Sequence, residues 1–158
     1  MNRVRHWLAR WRDDDSGNAV VEFVFVAVIV MVPLVYLVVA VAVAQRSSLA
    51  VTQAAREAGR AMATADTATQ GRARAEVAVR LALTDQGIDD DATMTTVAPS
   101  SGCDGPAVTP TFAPGSEFAV CVTRQVDLPG VPSIFEGRGV ETVGRFVVHV
   151  DDYRAAGR

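Results

Sequence analysis

Residues 23–44 read FVFVAVIVMVPLVYLVVAVAVA, a run of 22 residues without a formal charge. As a helix that rises 1.5 Å per residue, this run would be about 33 Å long, and the hydrocarbon core of a bilayer is about 30 Å thick. The run therefore predicts a transmembrane helix and argues against a plain soluble enzyme. Roughly 114 residues follow the span, which is enough for one small domain with a modest core.

The charged residues favour one orientation and do not indicate a nucleic-acid partner. The formal net charge is only −3. Arginines near a span are retained in the cytoplasm, so those before the span predict a cytoplasmic N-terminus and an extracytoplasmic C-terminal part. These residues are Arg3, Arg5, Arg10 and Arg12. Arg46, Arg56 and Arg60 follow the span and oppose this orientation.

The C-terminal end of the run allows a second interpretation. Ala42 and Ala44, followed by Gln45, match the small-x-small pattern of a secretory cleavage site. The 22 apolar residues exceed the h-region of a signal peptide, which is typically about 7–15 residues long. A secreted domain released after Ala44 remains an alternative to a membrane anchor.

The N-terminal end of the run reads SGNAVVEF over residues 16–23. Gly17 ends the polar leader, and Glu22 lies five residues later, inside the apolar run. An acidic residue at the centre of a span costs about 2.5–3.5 kcal/mol, and less near the interface. One interpretation is that the Glu22 carboxylate simply reaches the headgroups from the edge of the span.

The pattern of Gly17, four residues, Glu22 and then Phe23 resembles the processing site of type IV prepilin-like proteins. It is most similar to the TadE/TadG-like pseudopilins of tight-adherence (Flp) pilus systems. The resemblance implies cleavage by a prepilin peptidase between Gly17 and Asn18, on the cytoplasmic side. It also implies that Glu22 and Phe23 take part in subunit assembly, with Glu22 pairing with the new α-amine of a neighbouring subunit. A charge inside lipid is expected to have such a partner.

Other parts of the chain carry the resemblance too, strongly within residues 16–62 and more loosely beyond. They are residues 32–37, residues 54–61, Cys121 with residues 128–132, and residues 150–154. One departure concerns the proline of the span. The family often places it about six residues after the glutamate, whereas Pro33 lies eleven residues after Glu22.

The periodicity beyond the span predicts two helical segments. The span should continue into a helix that ends near Ala65, with one apolar stripe facing inward. That stripe consists of Val51, Ala55, Ala58 and Met62. Residues 64–71 predict a break, and Arg72–Gln86 a second helix with Val77 and Leu81 facing inward and Gly87 as its cap.

From Ile88 the pattern changes to the period of a β-strand. Residues 118–128 predict a half-buried strand, on whose apolar side Arg124 is the exception. Residues 145–150 predict a second strand, residues 93–98 a weaker third, and residues 99–116 a long loop. The fold class expected is α+β: a long N-terminal helix, a short helix and a small antiparallel sheet, in a pilin-like arrangement.

The chain has two cysteines, Cys103 and Cys121, and both fall on the predicted outer side, where disulfides persist. A bridge between them would close a loop of about 19 residues and stabilise the domain by roughly 3 kcal/mol. Two free thiols are the alternative. Two cysteines without a nearby histidine do not make a zinc site, and Asp89–Asp91 lack the spacing of a calcium loop. His6 and His149 belong to no catalytic motif, so we expect no enzyme, metal or cofactor.

These observations divide the chain into a cytoplasmic leader (1–17), a transmembrane helix (18–44), a helical stalk with a second helix (45–87) and a disulfide-stapled β-rich extracytoplasmic domain (88–158). The expected function is that of a pseudopilin or minor pilin-like subunit. Its expected partners are the membrane, other pilins, the assembly machinery and a prepilin peptidase, and no nucleic acid. The alternatives are an anchored cell-envelope binding module, which would use its sheet or the 99–116 loop, and the secreted domain.

Overall fold

The computed structural model describes residues 15–89, 92–127 and 139–153, with side chains from residue 19 onward. Its elements are α1 (Asp15–Ala63), α2 (Ala68–Asp85), β1 (Thr93–Val97), β2 (Glu117–Val126) and β3 (Val140–His149). The three strands form one antiparallel sheet in the order β1-β2-β3. The predicted α+β class is confirmed. Predictions that fall on residues 1–14, 90–91, 128–138 and 154–158 lie outside the described residues.

The chain divides into two compact units, residues 1–41 and residues 42–158. In the described part of the first unit, α1 continues without interruption through Pro33. Every side chain from residue 19 to residue 39 is exposed. Among the described residues, this helix alone is long and apolar enough to cross a membrane, and a signal sequence near the N-terminus would meet the same criterion.

In the second unit, the C-terminal part of α1 packs against the sheet. The predicted apolar stripe is confirmed, because Val51, Ala55, Ala58 and Met62 are all buried. Two glycines bring the backbones close together. A Cβ atom at Gly59 would overlap the ring of Phe146, and one at Gly144 would overlap the backbone of Val51. Glycine in a strand often marks such a close backbone approach.

The second helix begins at Ala68, four residues before the predicted start. The side-chain oxygen of Thr67 accepts a hydrogen bond from the backbone N–H of Gln70 at 3.2 Å, which caps the helix. Gly87 ends it with φ of +63°, and the N–H of Ile88 returns to the carbonyl of Leu83 at 3.0 Å. The predicted cap at Gly87 is confirmed.

The prediction that Val77 and Leu81 face inward is wrong. Val77 is 60% exposed and Leu81 is 61% exposed, whereas Ala75, Val79 and Leu83 are buried. The sequence has an aliphatic residue at every odd position from 73 to 83, so two helical stripes compete for the core. Residues on opposite sides of a helix cannot both be buried against the same neighbours, and tertiary packing selects one stripe.

β2 lies in the centre of the sheet, and its first half is covered on both faces. Phe118, Val120 and Val122 face the helices. On the other face Ala119 and Cys121 are also buried, because Val97 and Cys103 pack against them. The prediction of a half-buried strand is therefore wrong for residues 118–122. β3 is longer than predicted, since it begins at residue 140 rather than 145.

Candidate functional site

The predicted processing site lies at the beginning of α1. Gly17 and Asn18 belong to the first turn of this helix, which begins at Asp15. Glu22 follows Asn18 by four residues, so its carboxylate emerges on the same helix face about 6 Å further along the axis. Glu22 is exposed, and Phe23 is 73% exposed. An amine at residue 18 and a carboxylate at residue 22 would thus be neighbours.

The helix surface that follows Phe23 is apolar on all sides. Its exposed side chains include Phe25, Ile29, Met31, Leu34, Tyr36 and Leu37. A helix that is hydrophobic all round requires lipid or other helices to cover it. The geometry of this segment therefore allows lateral contacts in any direction.

The predicted disulfide is present. Cys103 and Cys121 are bonded, with their Cα atoms 5.7 Å apart. The bond fastens the loop between β1 and β2 to the face of the sheet that points away from the helices. A second contact holds the same loop, since Arg145 on β3 donates a hydrogen bond to the carbonyl of Pro99 at 2.5 Å. The loop consequently covers part of this sheet face.

A buried polar network joins α1 to the sheet. The hydroxyls of Ser47 and Thr142 lie 2.9 Å apart, and the guanidinium of Arg124 donates to the Ser47 oxygen at 3.4 Å. The Thr142 hydroxyl donates to the Arg124 carbonyl at 3.2 Å. This network accounts for Arg124 on the apolar side of β2. Ser47 and Thr142 were missed in the sequence, because no local pattern links residues so far apart.

His149 lies between two carboxylates on the surface. Its Nδ1 atom is 3.2 Å from Glu117 and its Nε2 atom 3.6 Å from Asp152. The hydrogen bond to Glu117 is the main reason that the pKa of His149 is raised above 6.5; partial desolvation opposes it, and the charge of Asp152 adds a smaller increase. Glu117 is directly opposite His149 in the strand register. The sequence did not reveal Glu117 as a partner of His149, because that contact depends on the strand register.

A cleft of about 630 Å³ opens between α2, β1 and residues 107–110. Met62 and Met94 contribute apolar side chains, and Ala73 lines the α2 side. Arg72 and Glu76 also line the cleft, and their charged atoms are 2.9 Å apart. The lining residues come from segments distant in the chain, so no local sequence signal could have revealed the site. Apolar and polar side chains line the cleft in similar numbers, with four threonines beside the Arg72–Glu76 pair.

The described residues contain no cluster of histidine, cysteine and acidic side chains that could hold a metal ion. No family model matches this chain, and no curated protein or solved structure matches it either.

Proposed function

We propose that this chain is a structural, pseudopilin-like subunit of a tight-adherence pilus system. One membrane span would anchor it, with a cytoplasmic N-terminus, and a prepilin peptidase would trim it after Gly17. The observation that carries the proposal is the position of Gly17 and Glu22 at the start of a helix whose next turns are apolar and exposed. The role is one of assembly rather than catalysis.

The helix geometry supports a function for Glu22. Cleavage after Gly17 would leave a cationic amine at Asn18, one helical turn before Glu22 and on the same face. A lone carboxylate costs about 2.5–3.5 kcal/mol at the centre of a span, and a smaller cost remains at the edge, where Glu22 lies. Pairing with the amine of a neighbouring subunit offsets that cost. The carboxylate can therefore favour contact with another subunit over lipid.

The test measures the trimming and assembly of Gly17 and Glu22 variants in membranes of the native host. We expect Gly17→Arg to leave the leader attached, whereas the adjacent control Ser16→Ala is trimmed normally. We expect Glu22→Ala to be inserted and trimmed but depleted from complexes purified through another pilus component. Glu22→Gln, which keeps the shape and loses the charge, should behave like Glu22→Ala. Normal assembly of both Glu22 variants would refute the pairing.

A second candidate is an anchored cell-envelope binding module that keeps its leader. The cleft between α2 and β1 favours it, since a structural subunit does not require such a cavity. The third candidate, a domain released after Ala44, is compatible with the packing because the buried part of α1 begins at Ser47. The N-terminal residue of the mature protein separates all three candidates.

A further inference from the structure

The strand that borders the cleft has an open backbone edge. β1 is an outer strand of the sheet and pairs with β2 on one side. The Thr96 carbonyl accepts a hydrogen bond from the N–H of Val108 at 2.8 Å, so the Thr96 backbone groups point away from β2. Because backbone direction alternates along a strand, those of Met94 point the same way. Within the described ranges, no residue pairs with the outward backbone groups of Met94.

The chain itself begins to add a strand to this edge and then stops. Ala107 forms an isolated antiparallel bridge with Val97. At the next step the hydroxyl of Thr96 donates to the Val108 carbonyl at 2.5 Å. Pro110, which has no N–H, follows two residues later. The edge therefore accepts an extended segment, and the chain's own segment covers only the Val97 end of it.

The cleft borders this edge of β1, and residues 107–110 of the chain's own segment also line it. Met94, Thr95 and Thr96 of β1 line one side, and Ala68, Thr69 and Ala73 of α2 contribute small side chains to the other. The volume of about 630 Å³ lies within the range of ligand sites in proteins. A groove between an edge strand and a helix is suited to binding an extended peptide through main-chain hydrogen bonds.

We propose that this cleft binds an extended peptide segment of a partner protein, which adds to the edge of β1 beside Met94. Apolar side chains of the peptide would contact Met94, whose flexible thioether adapts to different shapes and is only partly buried. An acidic side chain would lie within reach of Arg72, in competition with Glu76. The inference is independent of the processing of the N-terminus, so either result can stand without the other.

The test uses the full chain in lipid nanodiscs and a fluorescein-labelled peptide, acetyl-Val-Thr-Val-Glu-Val-Thr-Val-amide. Its β-branched residues favour the extended form. Ala73→Trp fills the cleft from an exposed position on α2, and Val77→Trp is the matched control, one turn further and outside the cleft. A second peptide carries backbone N-methyl groups at alternate residues, which remove the hydrogen-bond donors and keep the side chains.

Fluorescence anisotropy should give a Kd below about 1 mM for the first peptide. We expect Ala73→Trp and N-methylation each to weaken binding at least about tenfold, and Val77→Trp to change it less than about twofold. The N-methyl peptide tests the wild-type chain, so the result does not depend on the folding of a variant. Absence of binding, or binding insensitive to N-methylation, would overturn the proposal. So would self-association of the chain that Ala73→Trp abolishes, because the occupant would then be a second copy.

Discussion

Gly144 of β3 lies against the backbone of Val51 in α1, with no room for a Cβ atom between the two backbones. The same helix face holds Gly59, which is pressed against the ring of Phe146 in the same way. α1 therefore rests directly on β3 in the second unit. Thr142 lies two residues before Gly144 on β3, and its hydroxyl is hydrogen-bonded to the Ser47 hydroxyl of α1. This bond fixes the position of α1 along β3.

Gly144→Ala tests this contact. The added methyl group meets backbone atoms, which cannot rotate away as a side chain can, so the helix must move off the sheet. Overpacking of this kind costs about 1–3 kcal/mol and occasionally more, and we expect the upper end. The measurement is denaturant unfolding of the full chain in detergent. Val143→Thr, one residue earlier and partly exposed, should change stability by less than about 0.5 kcal/mol. Equal stability of the Gly144→Ala protein would refute the close contact.

The glycines mark the limit of what the sequence could predict. The stripe from Val51 to Met62 was recognised because helical periodicity repeats it over several turns. Gly144 interrupted the alternation of β3, and Gly71 was assigned to a break. In fact Gly71 lies within α2, where a Cβ atom would be 3.1 Å from the ring of Phe112. A glycine in the sequence does not show whether it marks a turn or a close tertiary contact.

Other differences have the same origin in packing between distant segments. The covering of Cys121 depends on a loop that returns across the sheet, and the cleft depends on three parts of the chain meeting. The site predicted at Gly17 and Glu22 rests on local spacing at the polar–apolar junction, and it stays a prediction. The sequence thus predicts the periodic elements and the local motif, but not the surfaces formed between elements.

The choice of the buried stripe on α2 is testable with two leucines. Leu83 is completely buried, and Leu81 is mostly exposed. Leu83→Ala should therefore destabilise the protein by about 2–5 kcal/mol, since it leaves a cavity. Leu81→Ala should change the free energy of unfolding by less than about 0.5 kcal/mol. If Leu81→Ala destabilised the protein more than Leu83→Ala in denaturant unfolding, the buried stripe would be the one expected from the sequence.

The disulfide should contribute measurably to stability. Cys103 and Cys121 are separated by 18 residues, and the loop-entropy model gives roughly 3 kcal/mol for a bridge of this span. We expect the double variant Cys103→Ala/Cys121→Ala to unfold at a correspondingly lower denaturant concentration. Addition of a reductant should leave the unfolding of this variant unchanged, which serves as the control. An unchanged midpoint relative to the oxidised protein would contradict a structural role for the bridge.

His149 should make stability depend on pH in a defined direction. Its pKa is raised above 6.5 in the folded protein, chiefly by the hydrogen bond to Glu117, so folding favours the protonated form. This stabilisation is fully present below the unfolded pKa and is lost as the pH rises through the folded value. We expect the stability of the wild-type protein relative to His149→Gln to fall as the pH rises from below 6.5 through the raised folded pKa, by a small amount because the site is exposed. A folded pKa below 6.5, measured by NMR on the His149 ring, would contradict this.

The most direct test of the proposed function is the N-terminal residue and the intact mass of the protein from its native host's membranes. A chain that begins at Asn18, with a mass two hydrogens below that of the reduced form, is the result we predict. It would demonstrate prepilin-type processing and the Cys103–Cys121 bridge in one experiment. A chain that still carries residues 1–17 would contradict the account and leave an untrimmed membrane anchor, and a chain that begins at Gln45 would contradict it in favour of a secreted domain.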